Sequence, residues 1–224
     1  MRPYWNIIRR ARLFDGIDDG NLERLLECLT AKTVNFLKAA WVFHVGDQAK
    51  YIGLLLEGVL SIQQEDFWGN RTIVTKVVPG QLFAESFACT PGAMLNVDVF
   101  AETAAIVLFL DVQRLMTLCN SACDFHNRVM RNLLFDMAGK NLRFNEKLTH
   151  MAQRTTREKL LSYLSAESLR QKSPVFDIVY TRQQLADYLA VDRSAMSNEL
   201  GKLRDEGILS FRKNHFQLYR PDEH

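Results

Sequence analysis

The chain has 224 residues, of which 47% are hydrophobic and 24% charged, and its formal net charge is +2. This size and composition are typical of one large or two modest globular domains. No run of residues approaches the roughly 20 apolar residues of a membrane span. No signal peptide opens the sequence either, so we expect a cytoplasmic protein without a membrane partner.

The first 30 residues differ in pattern from those that follow. Residues 6–30 predict a helix, because leucines recur on one face: Leu22, Leu25, Leu26 and Leu29. From Val34 onward the pattern is that of short strands rich in β-branched and aromatic residues: Trp41–Val45, Tyr51–Leu56, Val59–Gln63, Thr72–Val78, Val97–Ala101 and Ala105–Leu110. Six of the eleven glycines lie between positions 46 and 92, near the joints of these strands. The region therefore predicts an antiparallel sandwich or jelly roll.

A long helical pattern follows Asp111. Apolar residues spaced by threes and fours predict a helix from about Asn120 to Thr149, roughly 45 Å long. A second apolar stripe lies beside the first, at Met130, Leu134, Ala138 and Leu142. Because a helix with two apolar faces needs two packing partners, we expect the strand domain on one face and the same helix of a second subunit on the other. The predicted homodimer interface comprises Phe125, Val129, Leu133, Met137, Phe144 and Leu148.

Residues 180–218 predict two short helices joined by a tight turn and followed by a hairpin. Thr181 and Gln184 form the capping box of the first helix, and Asp192 caps the second. Three apolar residues at helical spacing must point inward from the second helix: Met196, Leu200 and Leu203. The residues after Gly207 alternate around Lys213, which predicts a small basic wing.

The opposite face of the second helix is polar, with Arg193, Ser194, Ser197, Asn198 and Lys202 pointing outward. Such side chains read base edges and hold phosphates when a helix enters the major groove. The charge excess also lies in this part of the chain, since residues 151–224 hold 12 basic and 10 acidic side chains. A merely solvated helical domain is the simpler alternative. The caps, the turn and the basic hairpin all agree with a DNA-binding function instead.

A jelly roll, a long dimer helix and a C-terminal winged helix-turn-helix resemble the CRP/FNR family of transcription factors. Residues 181–209 and the segment PGQLFAE at 79–85 carry the resemblance most strongly. It implies an α+β protein with a β-roll sensor domain at 1–118, a dimerisation helix at 119–150 and a winged helix-turn-helix domain at 151–224. It also implies a small-molecule effector, a palindromic DNA operator and contacts with RNA polymerase, including contacts by the hairpin at 66–70.

The resemblance assigns roles within the helix-turn-helix. Arg193 matches the family's guanine-reading arginine, and Arg182 matches an arginine that contacts phosphate. Ser194 and Asn198 stand where the family places a base-reading glutamate and a second arginine, so we expect a half-site different from the usual ones. The residues expected at DNA are Thr181, Arg182, Asp192, Arg193, Ser194, Ser197, Asn198, Lys202 and Lys213.

The family's effector pocket lies between the roll and the long helix. By position, its lining here is Phe83, Glu85, Phe87, Leu95 and Asn96 on one side, with Gly139, Leu142 and Arg143 facing them. Leu95 occupies the place of the arginine that holds the phosphate of a cyclic nucleotide, and a buried phosphate needs such a donor. Cyclic AMP is therefore not the expected effector, and the lining favours a hydrophobic or aromatic small molecule. Gly139 is either a hinge or a close-packing point.

Several alternatives remain open at the level of sequence. A cyclic-nucleotide effector is one, and haem sensing is another, with His44 and His126 as the available imidazoles. Cluster-based oxygen sensing is disfavoured because Cys28 is the only cysteine among the first 88 residues. A cupin-like metal enzyme would need several histidines in the roll, which contains only His44, so we expect neither catalytic residues nor a metal site. A ligand-binding adapter without DNA binding is the remaining alternative.

Overall fold

The computed structural model describes residues 2–65, 67–68, 71–116 and 124–219. The chain forms two compact units, an N-terminal unit at Met1–Gly139 and a C-terminal unit at Lys140–His224. The boundary falls inside the long helix, whereas the sequence predicted a separate helical segment at 119–150. None of the helices in the described ranges combines the length and hydrophobicity that crossing a bilayer requires.

The N-terminal unit opens with two helices instead of the single predicted one, α1 at Trp5–Arg10 and α2 at Asp19–Cys28. Short 3₁₀ turns at Arg2–Tyr4 and Arg12–Phe14 flank α1. The helical pattern is interrupted because Ala11 adopts an extended conformation, with φ −67° and ψ 135°. A new cap then starts α2, since the Asp18 carboxylate accepts a hydrogen bond from the backbone N–H of Asn21 at 3.0 Å.

Eight strands build two four-stranded antiparallel sheets, as the sequence predicted for a jelly roll. The strands are β1 Lys32–Phe36, β2 Trp41–Phe43, β3 Tyr51–Glu57, β4 Leu60–Glu65, β5 Arg71–Val77, β6 Leu82–Phe83, β7 Asp98–Ala101 and β8 Ala105–Asp111. One sheet has the order β1-β8-β3-β6 and the other β2-β7-β4-β5. Strands β1 and β6 were not predicted. Two short helices accompany the roll, α3 at Glu85–Ala88 and α4 at Val112–Met116.

Strand β3 is buried on both faces because it belongs to two hydrophobic cores. Its alternate residues Ile52, Leu54 and Leu56 pack with the helices outside the roll. Leu55, on the other face, packs inside the roll. This explains why the strand reads as a continuous apolar run instead of an alternating one. The roll interior is therefore separated from the helices by one sheet.

The long helix α5 spans Asp124–Met151, and its first turns complete the core of the N-terminal unit. Val129 and Leu133 are 0% and 3% exposed and pack against that core, with Phe125 and Met137 at its margin. The predicted dimer interface is wrong at Val129 and Leu133, because side chains that this chain buries itself are not available to a second subunit. Residues 117–123, including the predicted helix start and two cysteines, lie outside the described residues.

The C-terminal unit contains the end of α5, three further helices and a small sheet. The helices are α6 Thr156–Gln171, α7 Arg182–Leu189 and α8 Arg193–Asp205, and the strands are β9 Val175–Asp177, β10 Leu209–Arg212 and β11 His215–Leu218. The sheet order is β10-β11-β9. Helix α6 and strand β9 were not predicted. A sequence signal for α6 existed, because Thr155 and Glu158 form a reciprocal capping box.

Within this unit the last turns of α5 pack against α6 and α7. His150 is buried, and its Nδ1 lies 2.7 Å from the Ser162 hydroxyl of α6. Its ring meets that of Tyr163 edge-on and lies 6.4 Å from that of Tyr188. Arg170 of α6 forms an ion pair with Glu146 of α5. The end of the long helix is thereby part of the C-terminal domain.

Candidate nucleic-acid interface

Helices α7 and α8 are joined as the sequence predicts. The Thr181 hydroxyl accepts the backbone N–H of Gln184, and the Gln184 side chain accepts the N–H of Thr181. Ala190 ends α7 in the left-handed region at φ 51°, where its Cβ lies close to the following carbonyl oxygen at a cost of roughly 1–2 kcal/mol. Asp192 then starts α8, its carboxylate accepting the N–H of Ala195 at 2.8 Å. Two capped helices are thus joined by a three-residue turn.

Helix α8 buries one side and exposes the other. Met196, Leu200 and Leu203 are fully buried, as predicted. At about 100° per residue, Ser194 and Asn198 fall on the opposite side. Both are exposed, so the centre of the outward face carries short, uncharged polar side chains.

The outward side chains of α8 differ in whether they already form a hydrogen bond or an ion pair within the protein. Arg193, Ser194 and Asn198 make no side-chain hydrogen bond or ion pair with any residue in the described ranges. The Ser197 hydroxyl, by contrast, donates to the Arg193 carbonyl at 2.9 Å. Lys202 forms an ion pair with Glu199 at 2.6 Å. Since exposed ion pairs are weak, a phosphate can replace Glu199 as the partner of Lys202.

Arg182 has a different environment from that of a freely exposed phosphate ligand. Its guanidinium carbon lies 5.1 Å from the ring centre of Phe211 and 4.9 Å from that of Phe216, and its Nη2 donates to the Lys213 carbonyl at 2.7 Å. Burial lowers the pKa of the guanidinium. The side chain therefore holds the hairpin Leu209–Leu218, here called the wing, against α7. Its predicted contact with phosphate stays a prediction.

The wing presents its basic residues at the tip. Lys213 is exposed and occupies the left-handed region at φ 54°, in the turn between β10 and β11. Asp192, also predicted at DNA, serves as a helix cap. A carboxylate has no proton to donate to a phosphate, so its contribution is to fix the start of α8.

A cleft of about 510 Å³, which the sequence analysis did not predict, separates α8 from the start of α6. Its lining combines the first residues of α6 with the flank of α8: Thr155, Thr156, Arg157, Ala195, Asn198, Glu199 and Lys202. Arg157 is held by the Glu206 carboxylate through both terminal nitrogens. Asn198 and Lys202 are thus side chains on the rim of a groove.

Comparison with known proteins agrees with this arrangement. Residues 33–122 match the model of the cyclic nucleotide-binding domain, and residues 158–223 match that of the Crp-like helix-turn-helix domain. The transcriptional activator protein FnrL of Cereibacter sphaeroides is 23% identical over 175 residues, which cover 74% of this chain and 67% of FnrL. The chain belongs to the CRP/FNR family of transcription regulators.

Solved structures show the same fold as this CRP/FNR regulator. The c-di-GMP responsive global regulator CLP of Xanthomonas campestris superposes with a TM-score of 0.56 at 20% identity, over 91% of this chain and 100% of CLP. CprK in complex with OCPA gives a TM-score of 0.59 at 16% identity, over 88% of this chain and 91% of CprK. At these identities the likeness concerns the fold alone.

Two of the predicted effector residues of this CRP/FNR regulator are buried in the core of the N-terminal unit. Phe83 and Leu95 are each 2% exposed, and the Phe83 ring packs edge-on to Phe43 and Phe109 inside the roll. The assignment of Phe83 and Leu95 as pocket lining is therefore wrong, since both are core residues. Glu85 is also buried, Phe87 is half-buried and Asn96 is exposed.

The other half of the predicted pocket lies on α5. Gly139 is the last residue of the N-terminal unit, whereas Leu142 and Arg143 are exposed residues of the C-terminal unit. Their contact with the sensor residues stays a prediction. In the N-terminal unit a cleft of about 340 Å³ lies instead where β3 begins and β8 ends, between the turn at 48–51, the loop at 88–92 and the start of α4.

The two histidines considered for haem have protein partners in this regulator. The buried His126 places Nε2 3.3 Å from the Arg114 carbonyl, and the exposed His44 lies 3.8 Å from the Asp98 carboxylate. Within the described residues, no group of three or more His, Cys, Asp or Glu side chains is placed to hold a metal.

Proposed function

We propose that this CRP/FNR regulator binds operator DNA as a homodimer, with α8 of each subunit in the major groove, and that a small effector other than cyclic AMP switches this binding. The observation that carries the proposal is the state of Arg193, Ser194 and Asn198. All three are exposed and without a partner among the described residues, on a helix whose other side is fully buried. Exposed polar groups in this arrangement are suited to base edges.

Arg193 is the residue proposed to read a guanine. Arg193 is the first residue of α8, and its side chain is long. The guanidinium of an arginine pairs with guanine O6 and N7 through two hydrogen bonds. Arg193→Ala is expected to cost about 1–3 kcal/mol and to relax preference at one base pair. Equal weakening on operator and scrambled DNA would show that Arg193 contacts phosphate only. Thr181, Lys202 and Lys213 are proposed as phosphate contacts, since each is exposed.

The proposed dimer uses the apolar side chains of α5 that the single chain leaves uncovered. In the N-terminal unit these are Leu134 and Phe135, which are 63% and 64% exposed. In the C-terminal unit they are Leu142, Phe144 and Leu148. Large apolar side chains spaced along one helix are typical of a helix–helix interface. Phe144 and Leu148 remain from the predicted interface, and Leu134, Phe135 and Leu142 replace its buried members.

The dimer is tested by the mass of the protein in solution. Light scattering is expected to give twice the 25.8 kDa of one chain, and Leu134→Lys with Phe135→Lys is expected to give a single chain. Val129→Ala serves as a control, since Val129 is buried in its own subunit and its truncation weakens folding without removing the interface. A wild-type mass of one chain at micromolar concentration would exclude the dimer.

The effector is proposed to lack the phosphate of a cyclic nucleotide. Leu95 is buried where a phosphate-binding arginine would stand, and Lys76 of the roll is tied to Glu102 at 2.8 Å. Without the charged donor that the family has at the position of Leu95, a phosphate buried there would be poorly compensated. Cyclic AMP is therefore expected to leave the melting temperature unchanged, and a marked rise on titration would overturn this part of the proposal.

Contacts with RNA polymerase are proposed at the tip of the β4–β5 hairpin. Phe67 and Trp68 are 95% and 82% exposed there, with their ring centres 5.9 Å apart. The other residues of the hairpin, at positions 66, 69 and 70, lie outside the described residues. Phe67→Ser with Trp68→Ser is expected to lower transcription from a bound promoter without changing DNA affinity.

The central experiment is selection of bound sequences from random double-stranded DNA by the purified chain, with and without the small-molecule fraction of a cell extract. Enrichment of a two-fold symmetric sequence supports the proposal, and dependence on the extract shows that an effector is required. Failure to bind any DNA under either condition would refute it. A ligand-binding adapter or an enzyme would give this negative result.

A further inference from the structure

The middle of the outward face of α8 is the part of the proposed DNA interface whose polar side chains have no partner among the described residues. Ser194 and Asn198 lie one turn apart there, and both side chains are exposed and unpaired among the described residues. Of the two charged residues, Arg193 is the first residue of α8 and Lys202 lies a little over two turns further along, beside the cleft to α6. Phosphates line the edges of a groove and bases its floor. The centre of α8 is therefore where an uncharged side chain meets bases.

Gly201 gives a second, independent indication of close approach. It lies on the same outward side, and no atom of the described residues lies within 4 Å of the position where a Cβ would stand. The glycine is thus not required by packing within the protein, and it weakens the helix by about 1 kcal/mol relative to alanine. Its absent side chain lets the backbone of α8 come nearer to a partner. A short side chain such as that of Asn198 needs this approach to reach a base.

The amide of Asn198 determines which base it can read. It places one acceptor and one donor side by side, which matches the N6 amino group and N7 of adenine in the major groove. An arginine at the same position would offer donors only and match guanine. We infer that Asn198 selects an adenine in each half-site, and that the single hydroxyl of Ser194 leaves the adjacent position weakly specified. The inference rests on the proposed function, because it names what the same helix recognises.

The experiment compares wild type with three variants on operators carrying each of the four base pairs at the proposed adenine position. Wild type is expected to prefer adenine there by about tenfold or more. Asn198→Ala is expected to lose this preference while keeping the one read by Arg193. Asn198→Arg is expected to shift the preference to guanine. Lys202→Gln, the matched control, is expected to weaken binding to all four operators equally.

The possible failures are distinguishable. If wild type enriches no DNA sequence, the proposed function is wrong and the inference falls with it. If wild type enriches a sequence, but Asn198→Ala retains the same preference at every position, the function stands and the adenine assignment is wrong. An Asn198→Arg protein without any change in preference would also overturn the assignment. Because Asn198 is exposed, these variants are expected to fold, and circular dichroism melting curves check this.

Discussion

Two glycines show how differently the two units are built. At Gly53, in strand β3, an added Cβ would lie 2.3 Å from the Phe83 ring. At Gly201, in helix α8, an added Cβ would meet no atom within 4 Å in the part of the chain that the structure describes. In the roll, the missing side chain of Gly53 leaves room for the Phe83 ring. In α8, no atom of the described residues takes the space beside Gly201. Around Gly53 the roll is thus filled by its own Phe83 ring, and the outer face of α8 is open to a ligand.

The prediction with the largest expected effect tests whether Phe83 belongs to a filled core or lines a ligand pocket. Phe83→Ala is expected to destabilise the N-terminal unit by about 3–5 kcal/mol, because it deletes a fully packed ring and leaves a cavity. Urea unfolding followed by circular dichroism measures the change. Phe87→Ala is the matched control, since Phe87 is only half-buried and its loss is expected to be smaller. Equal, small losses for both variants would mean that Phe83 lines an open pocket.

Substituting alanine at the two glycines is expected to change the stability of the protein in opposite directions. Gly53→Ala is expected to destabilise the protein by about 1–3 kcal/mol, because the methyl group overlaps the Phe83 ring. Gly201→Ala is expected to stabilise it by up to about 1 kcal/mol through helix propensity, while weakening DNA binding. Thermal unfolding and gel-shift titration measure the two effects. Stabilisation by both substitutions would show that the roll is less tightly packed around Gly53 than the structure indicates.

These effects also explain which parts of the molecule the sequence could predict. The period of 3.6 and the capping residues identify Met196, Leu200 and Leu203 as buried and Thr181 and Asp192 as caps. The same reasoning located the polar outer face of α8. These features depend on neighbours within one or two turns, and local spacing is enough to find them.

The features that sequence reasoning missed depend on distant contacts. Phe83 was assigned to a pocket by its position in the segment that resembles the family, but Gly53 lies 30 positions earlier and only the fold brings the ring onto it. Val129 was assigned to a dimer because it lies on an apolar stripe, but residues near the N-terminus cover that stripe within the same chain. The contact of Arg182 with two aromatic rings of the wing was likewise not predicted, because those rings lie about 30 positions later in the chain. Apolar spacing predicts that a side chain is buried, but it does not identify the surface that covers the side chain.

A smaller effect concerns the titration of the C-terminal unit. Burial lowers the pKa of His150, the nearby Arg170 acts in the same direction, and Glu146 and Glu167 partly oppose it. Because the unfolded chain then binds a proton more readily than the folded one, stability is fully present above the ordinary histidine pKa of about 6.5 and falls as the pH drops through the folded pKa. Urea unfolding across this range, followed by tyrosine fluorescence, measures the loss. His150→Gln is expected to reduce the dependence on pH, and an unchanged dependence would mean that other groups cause it.

The smallest change in folding stability is expected at Lys202, where a substitution still has a measurable effect on DNA binding. Lys202→Gln removes an exposed ion pair with Glu199 and is expected to change stability by less than about 0.5 kcal/mol. If Lys202 exchanges Glu199 for a phosphate, the slope of log affinity against log salt falls by about 1 for each subunit bound. Glu199→Gln provides the complementary test: it frees the lysine and removes a carboxylate beside the cleft, so affinity is expected to rise at low salt. A salt slope that neither substitution changes would place the DNA backbone away from the cleft between α6 and α8.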